Sequence, residues 1–328
     1  MYYRLMIDES ADQIPGIADI ISARQRISGE TRLTPVISDP QFNDKLGCEL
    51  WLKCENLQRT GAFKFRGASN AIALLDENGR AGDVATHSSG NHGAALALAA
   101  STHKRRSWVV MPEDSVKTKV EAVQRNGGEI IFCPPTQQDR EKGLADLVAR
   151  GCIPIPPYDH RDIICGQGTT VLEMSEQCPG LDIVLTPVGG GGLISGCAIA
   201  ARALIPDVRV IGAEPEGAAD TALSLSLGKR VDQFPVDTIA DGLRAIVGVL
   251  NFAIIRDNVN KVITVGESEI IDAMALVWQY FRMLIEPSSA TVIAAILASP
   301  EDFSGKRVGT IISGGNVDLN HLPFLPEN

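Results

Sequence analysis

Six short runs dominated by Val and Ile punctuate the chain: SWVVMP near 107, GEIIFCP near 128, DIVLTPVGG near 182, VRVIGAEP near 208, KVITV near 261 and RVGTIIS near 307. Helix-length segments lie between them, at 115–127, 138–150, 192–205, 267–285 and 289–298. Apolar runs of this length suit strands buried on both faces, and strand, helix, strand repeated many times builds parallel sheets covered by helices. The pattern therefore predicts an α/β fold of open twisted sheets. In such folds ligands gather beyond the carboxyl ends of the strands, so the loops that follow strands carry the functional information.

Bulk properties narrow the function classes. A chain of 328 residues has room for two domains, and 45% hydrophobic residues with mixed charges is ordinary globular composition. Thirty basic against forty acidic side chains leave a net charge of −10, which argues against nucleic acid or an anionic membrane as partner. The dense basic run His103 to Arg106 reads as a solvated connection. Seven cysteines contain no C-x-x-C pair, so neither a disulfide framework nor a structural zinc site is expected, and the thiols read as reduced and buried. The opening MYYRLMIDESADQ has no apolar core of signal-peptide length, and no run approaches a membrane span; a cytoplasmic location is expected. No low-complexity tract or linker marks a boundary, and IPIPPYD at 153–159 is the best crossing point between domains, because consecutive prolines favour extended backbone.

Three loops and one lysine stand out. THSSGNHG, 86–93, follows the strand-like GDVAT and precedes an Ala/Leu-rich stretch. Ser88, Ser89, Asn91 and His92 beside a helix start form a site for a carboxylate; capping alone needs one such side chain. PVGGGGLISG, 187–196, places consecutive glycines before a helix, where bare amides can cradle a phosphate. No register of it gives G-x-G-x-x-G or a P-loop, although Glu214 at the end of the next strand keeps a nicotinamide enzyme conceivable. SGGN, 313–316, puts a hydroxyl at another strand end, where a capped turn is the plainer reading. In TGAFKFRGAS, Lys64 stands between Phe63 and Phe65; either its stem packs on the rings while the head reaches water, or it is desolvated and nucleophilic. An amine, a phosphate cradle, a carboxylate loop and a strand-end hydroxyl together match pyridoxal phosphate, with an aldehyde for the lysine, a phosphate for the glycines and a ring nitrogen for the serine.

The residues resemble the pyridoxal-phosphate enzymes of fold type II, the tryptophan-synthase β-like group, and within it serine racemase and the serine/threonine and 3-hydroxyaspartate dehydratases. ENLQRTGAFKFRGA, THSSGNHG, GQGTTVLE, PVGGGGLISG, AEPEGAAD, ADGLR, LIEPSSA and SGGNVDL carry the resemblance in order through nearly the whole chain. It implies two sheets in a large cofactor-binding domain, 1–72 with 159–328, and a small substrate-loop domain, 73–158. It further implies Lys64 as the Schiff-base lysine with Phe63 against the ring, Asn91 at the phenolic oxygen, Gly189, Gly190, Gly191, Gly192 and Leu193 on the phosphate, and Ser313 at the pyridine nitrogen. Ser88, Ser89, Asn91 and His92 would receive the α-carboxylate, and Ser89 would face Lys64 across the substrate as the second catalytic group. Arg140 and Arg244 are candidates for a second carboxylate or for plain surface positions.

AEPEGAAD resembles the group's divalent-cation site, with Glu214 and Asp220 as carboxylate ligands and Ala218 offering its carbonyl. Oxygen ligands suit Mg²⁺, or Ca²⁺ or Mn²⁺; two solvated acids at a helix start are the alternative. Ala245 stands where the ADGLR block is usually followed by a hydroxyl residue. The resemblance implies β-elimination from serine, threonine or 3-hydroxyaspartate, or racemisation of serine or aspartate with dehydration as a side activity. It also implies a homodimer. A nicotinamide dehydrogenase and a non-catalytic binding protein are the readings from other classes.

Overall fold

The computed structural model describes residues 13–88 and 90–325. Its strands are β1 (Val36–Ile37), β2 (Glu49–Cys54), β3 (Val84–His87), β4 (Ser107–Pro112), β5 (Glu129–Cys133), β6 (Ile153–Pro154), β7 (Ile183–Pro187), β8 (Arg209–Pro215), β9 (Lys261–Val265) and β10 (Arg307–Ile312). Among the described residues they form two sheets, ordered β1-β2-β10-β7-β8-β9 and β5-β4-β3-β6. All pairings are parallel except β1 with β2. The helices are α1 (Ile17–Ile27), α2 (Pro40–Leu46), α3 (Lys64–Glu77), α4 (Asn91–Thr102), α5 (Lys117–Arg125), α6 (Gln137–Ala149), α7 (Arg161–Gln177), α8 (Gly192–Leu204), α9 (Asp220–Leu227), α10 (Val249–Asn258), α11 (Glu267–Phe281), α12 (Pro287–Ala298) and α13 (Pro300–Phe303).

The apolar runs are explained by double coverage. Along β7, Ile183 and Leu185 enter a core shared with Phe42, Met274 and Ile293, while Val184 between them enters a second core with Ile20, Leu172 and Ile194. Side chains alternate faces along a strand, so both alternating sets must be apolar when helices cover both faces. The smaller sheet repeats the device: Val109 packs with Ala97 and Val123, and its neighbour Val110 with Leu144 and Leu147.

The six apolar runs are all strands, β4, β5, β7, β8, β9 and β10. β2 escaped that pattern because ELWLKC carries Lys53, which is fully buried. Its amine bonds Thr34 O, Glu173 and Gln177 at 2.7–2.9 Å. Arg66 of α3, also fully buried, completes the cluster with bonds of 2.7–2.8 Å to both oxygens of Glu55 and of Glu173. Two cations and two anions balance inside the protein and fasten the start of α3 to β2 and α7. IPIPPYD begins as the edge strand β6 and then crosses to α7 through a bend over 157–160. The helix expected over 267–285 stops at Phe281, where Arg282 turns into the left-handed region at φ 57°. None of the described helices is long and apolar enough to cross a membrane, and all seven cysteines are free and buried.

Candidate active site

Parallel strands deliver the chosen loops to one place. Lys64 opens α3, and its backbone approach is set by the bonded pair Ala62 and Gly314 and by Phe63 N–H donating to Ser313 O at 3.0 Å. That pairing joins the lysine segment to the loop after β10. The Lys64 amine donates to Pro157 O at 2.8 Å and lies 5.2 Å from the centre of the Phe63 ring. Burial lowers its pKa to about 8, against the opposing pull of the Glu286 carboxylate. The Lys64 side chain is half-buried, so its amine is partly withdrawn from water.

The loop after β7 is buried throughout Gly189 to Leu193. Protein atoms crowd every glycine: a Cβ on Gly189 would stand 2.8 Å from Leu243 Cα, on Gly190 it would land on the Tyr158 ring, and on Gly191 it would stand 2.9 Å from Asn251 Cβ. Gly191 also has φ +90°, a backbone conformation that L side chains rarely adopt. The loop is held in place by Gly190 O, which accepts from Asn251 Nδ2 at 2.6 Å and Gly248 N–H at 3.1 Å. The N–H groups of Gly189, Gly190 and Gly191 meet no protein acceptor among the described residues, and those of Gly192 and Leu193 belong to the open first turn of α8. Buried, unanswered donors converging before a helix start fit an anion such as a phosphate.

Ser313 is 2% exposed at the end of β10. Its hydroxyl lies 2.9 Å from that of Ser289, which itself donates to Gly314 O at 2.7 Å. With Ser289 committed to that carbonyl, Ser313 is the partner left with a proton to direct, either to Ser289 or to an acceptor in the cleft.

Asn91 opens α4 and reaches across to the larger sheet. Its amide donates to both oxygens of Glu286 at 3.0 Å, and its Oδ1 accepts from Asn316 Nδ2 at 2.8 Å. Burial raises the pKa of Glu286, while the Asn91 bond and the amines of Lys119 and Lys64 act against the rise. Ser88 Oγ accepts from Gly90 N–H at 3.3 Å, and Ser89 lies outside the described residues. His92 is 2% exposed, and its Nε2 is 3.1 Å from Ile155 O, to which only a protonated nitrogen can bond. Burial depresses its pKa to about 3, so the ring is neutral and its unpartnered Nδ1 is an acceptor. A carboxylate at this helix start would therefore meet the backbone N–H of His92, not the imidazole that the sequence suggested.

Arg140 lies on α6 beside His87, whose pKa is lowered by burial and by that guanidinium. Its Nε is buried without a partner among the described residues. Arg244 is committed elsewhere: Nε and Nη2 both donate to Thr238 O, at 3.1 and 2.7 Å. Lys119 of α5 pairs with Asp241 in the ADGLR segment and draws α5 of the smaller sheet against the larger one.

Glu214 and Asp220 are both buried at the end of β8 and the start of α9. Glu214 accepts from the N–H groups of Thr221 and Ala222 at 3.1 and 3.0 Å, and Asp220 from Val247 N–H at 2.8 Å. Burial raises Glu214 to about 8 and Asp220 to about 6, so the pair calls for protons or a cation. No group of three or more His, Cys, Asp or Glu side chains converges on a metal position among the described residues. A cation here would take two carboxylates and complete its shell with backbone oxygen, such as that of the buried Ala218, and water.

Glu286, Ser289, Asn316 and Tyr158 were not singled out from the sequence. The first two lie in LIEPSSA, where Glu286 precedes the proline that opens α12, a helix-start signal that hid its place in the cleft.

The family described as pyridoxal-phosphate dependent enzyme matches residues 27–314. The chain is 43% identical over 312 residues to the β-hydroxyaspartate dehydratase of Paracoccus denitrificans, covering 95% of this chain and 99% of that protein. It is 46% identical over 313 residues to the serine racemase of Dictyostelium discoideum, covering 93% and 96%. The solved structure of maize serine racemase superposes with a TM-score of 0.91 at 40% identity, over 94% of this chain and 96% of that one. Sequence, topology and the disposition of lysine and glycine loop converge: this chain belongs to the family of pyridoxal-phosphate-dependent enzymes.

Proposed function

We propose that the protein dehydrates and deaminates a β-hydroxy amino acid such as serine, threonine or 3-hydroxyaspartate, releasing a 2-oxo acid and ammonia. The observation that carries the reading is Lys64: its amine donates to the Pro157 carbonyl, and with its pKa brought down to about 8 it holds a far larger share of free base near neutral pH than an ordinary lysine. Pyridoxal phosphate, when bound, supplies an electron-accepting ring that stabilises negative charge at the α-carbon of an attached amino acid. Lys64 would hold its aldehyde, Gly189 to Gly192 with Leu193 its phosphate, Asn91 its phenolic oxygen and Ser313 its ring nitrogen. Phe63 beside the amine keeps water away. Once free, the Lys64 amine takes the Cα proton, and departure of the β-hydroxyl with a proton completes the elimination. The helix start at Ser88, Ser89, Asn91 and His92 would receive the α-carboxylate, and Arg140, with its unsatisfied Nε, a second one.

We assign Mg²⁺, with Ca²⁺ or Mn²⁺ as substitutes, to Glu214, Asp220 and the Ala218 carbonyl. A homodimer in the cytoplasm, with 1–72 and 159–328 forming the large domain and 73–158 the small one, completes the reading. Seven free thiols suit a reducing compartment.

A second reading has a specific support: the 46% identity to a serine racemase. There Ser89 would return a proton to Cα from the face opposite Lys64. Assaying 2-oxo acid release and loss of optical activity on the same stereoisomers of serine, threonine and 3-hydroxyaspartate separates the two. Release without inversion supports the dehydratase; inversion outrunning release supports the racemase. Release at the parent rate from a Lys64→Ala protein would sink both.

A further inference from the structure

A second cavity, of about 410 Å³, opens away from the catalytic cleft between α1, the middle of α3, the start of α7 and the segment 153–156. One part of its lining is apolar, including Ala71 and Pro156; another carries Arg26, Arg80 and Arg161 with the carboxylates Asp19 and Asp162 and the His160 ring. Arg26 is answered by Glu77 at 2.8 Å and Asn70 Oδ1 at 2.7 Å, and one arm of Arg161 by Asp19 at 2.7 Å. Yet Arg161 Nε is buried with no acceptor among the described residues, and the exposed Arg80 guanidinium has no protein partner among them either. The buried N–H left unanswered at Arg161, in a cavity that the free guanidinium of Arg80 can also reach, points to an oxygen ligand. The start of α7, a helix of 17 residues, adds its partial positive charge to the same wall.

We infer that this cavity binds a small organic oxyanion, one carboxylate or phosphate head on an apolar body, and that its occupancy modulates catalysis at Lys64. The coupling is physical and short. Pro156 lines the cavity, and the carbonyls on either side of it are catalytic supports: Ile155 O holds the His92 ring and Pro157 O holds the Lys64 amine. The next residues continue the chain of contacts, since Tyr158 packs against Gly190 and Asp159 accepts from the N–H groups of Val249 and Leu250 at the start of α10. A ligand pressing on Pro156 therefore acts on the segment that positions the amine and backs the phosphate loop. The binding part is independent of which amino acid is the substrate.

Calorimetric titration of the holoenzyme with hexanoate and, separately, hexyl phosphate tests the binding. Saturable binding of one molecule per chain is expected for at least one of them, and the tighter of the two names the head group. Arg80→Ala, at an exposed position outside the catalytic machinery, should bind about tenfold more weakly with its activity without ligand unchanged. Ala71→Leu, which fills the apolar end, should abolish binding. In steady-state assays the ligand should change kcat without behaving as a simple competitor of the substrate. No binding of either probe, binding undiminished in both variants, or purely competitive kinetics would each overturn the inference. None of these outcomes depends on the reaction being elimination or racemisation.

Discussion

Asn91 lays its side-chain amide across both oxygens of Glu286, 3.0 Å from each, and so ties the helix that follows the smaller sheet to the helix start that caps the larger one. The Glu286 carboxylate is buried beside the Lys64 amine and favours its charged form, partly offsetting the desolvation that lowers the lysine pKa to about 8. Capture of pyridoxal phosphate by the apoprotein needs the uncharged amine, so its rate should rise as pH passes about 8. In Glu286→Gln the opposing charge is gone, and the midpoint should move to lower pH. Stopped-flow growth of the visible absorption band measures both; an upward shift in the variant would contradict the placement of Glu286.

The glycine loop makes a steric prediction. Gly190→Ala drives a methyl group into the Tyr158 ring, and either the ring or the loop must move. Overpacking of this kind costs about 1–3 kcal/mol. Weaker retention of the cofactor on dialysis should accompany the lower stability, and Tyr158→Ala in the same chain should restore part of both.

Arg66→Met removes the only guanidinium between Glu55 and Glu173 and leaves Glu55 buried with Thr34 as its remaining side-chain partner. Breaking such a cluster from one side costs about 3–5 kcal/mol. Urea unfolding of the apoprotein should show that loss, whereas replacing one exposed surface arginine should cost well under about 1 kcal/mol.

His103 supplies a pH signature of stability. Its ring bonds Asp76 at 2.6 Å through Nδ1 and Glu30 at 2.7 Å through Nε2, joining the end of α4 to α3 and to the turn after α1. Burial alone would lower its pKa, but the two carboxylates outweigh burial and raise it. A raised folded-state value means the stabilisation is fully present below the unfolded value of about 6.5 and is lost as pH rises through the folded one. The gap in melting temperature between the parent and His103→Gln should be widest at about pH 5.5 and narrow towards about pH 9.

Removal of divalent cations should expose the Glu214 and Asp220 pair. If a cation holds these buried acids, EDTA treatment should lower the melting temperature and Mg²⁺ should restore it by mass action. In Asp220→Asn, neither EDTA nor Mg²⁺ should change it. A parent protein indifferent to both reagents would leave the pair as protonated acids and remove the cation from the reading.

The strand–helix alternation of β4, β5, β7, β8, β9 and β10 was legible along the chain, as were the loops that follow those strands, whereas β2 and the order of strands in the sheets were not. Apolar alternation on both strand faces is a local signal, and so are a lysine between two phenylalanines and four consecutive glycines. Tertiary structure decided which of these groups meet and in what state. Asn91 and Glu286 are 195 positions apart, and nothing near either one announces the other. How far the Lys64 pKa falls depends on burial and on that distant carboxylate, neither of which acts on the amine until the chain folds. His92 shows the converse: a residue type suited to binding a carboxylate, whose donor was already claimed by Ile155 O once α4 packed against the 153–157 segment. Periodicity is written along the chain, whereas desolvation and hydrogen-bond partnership are properties of distance, and distance exists only after folding.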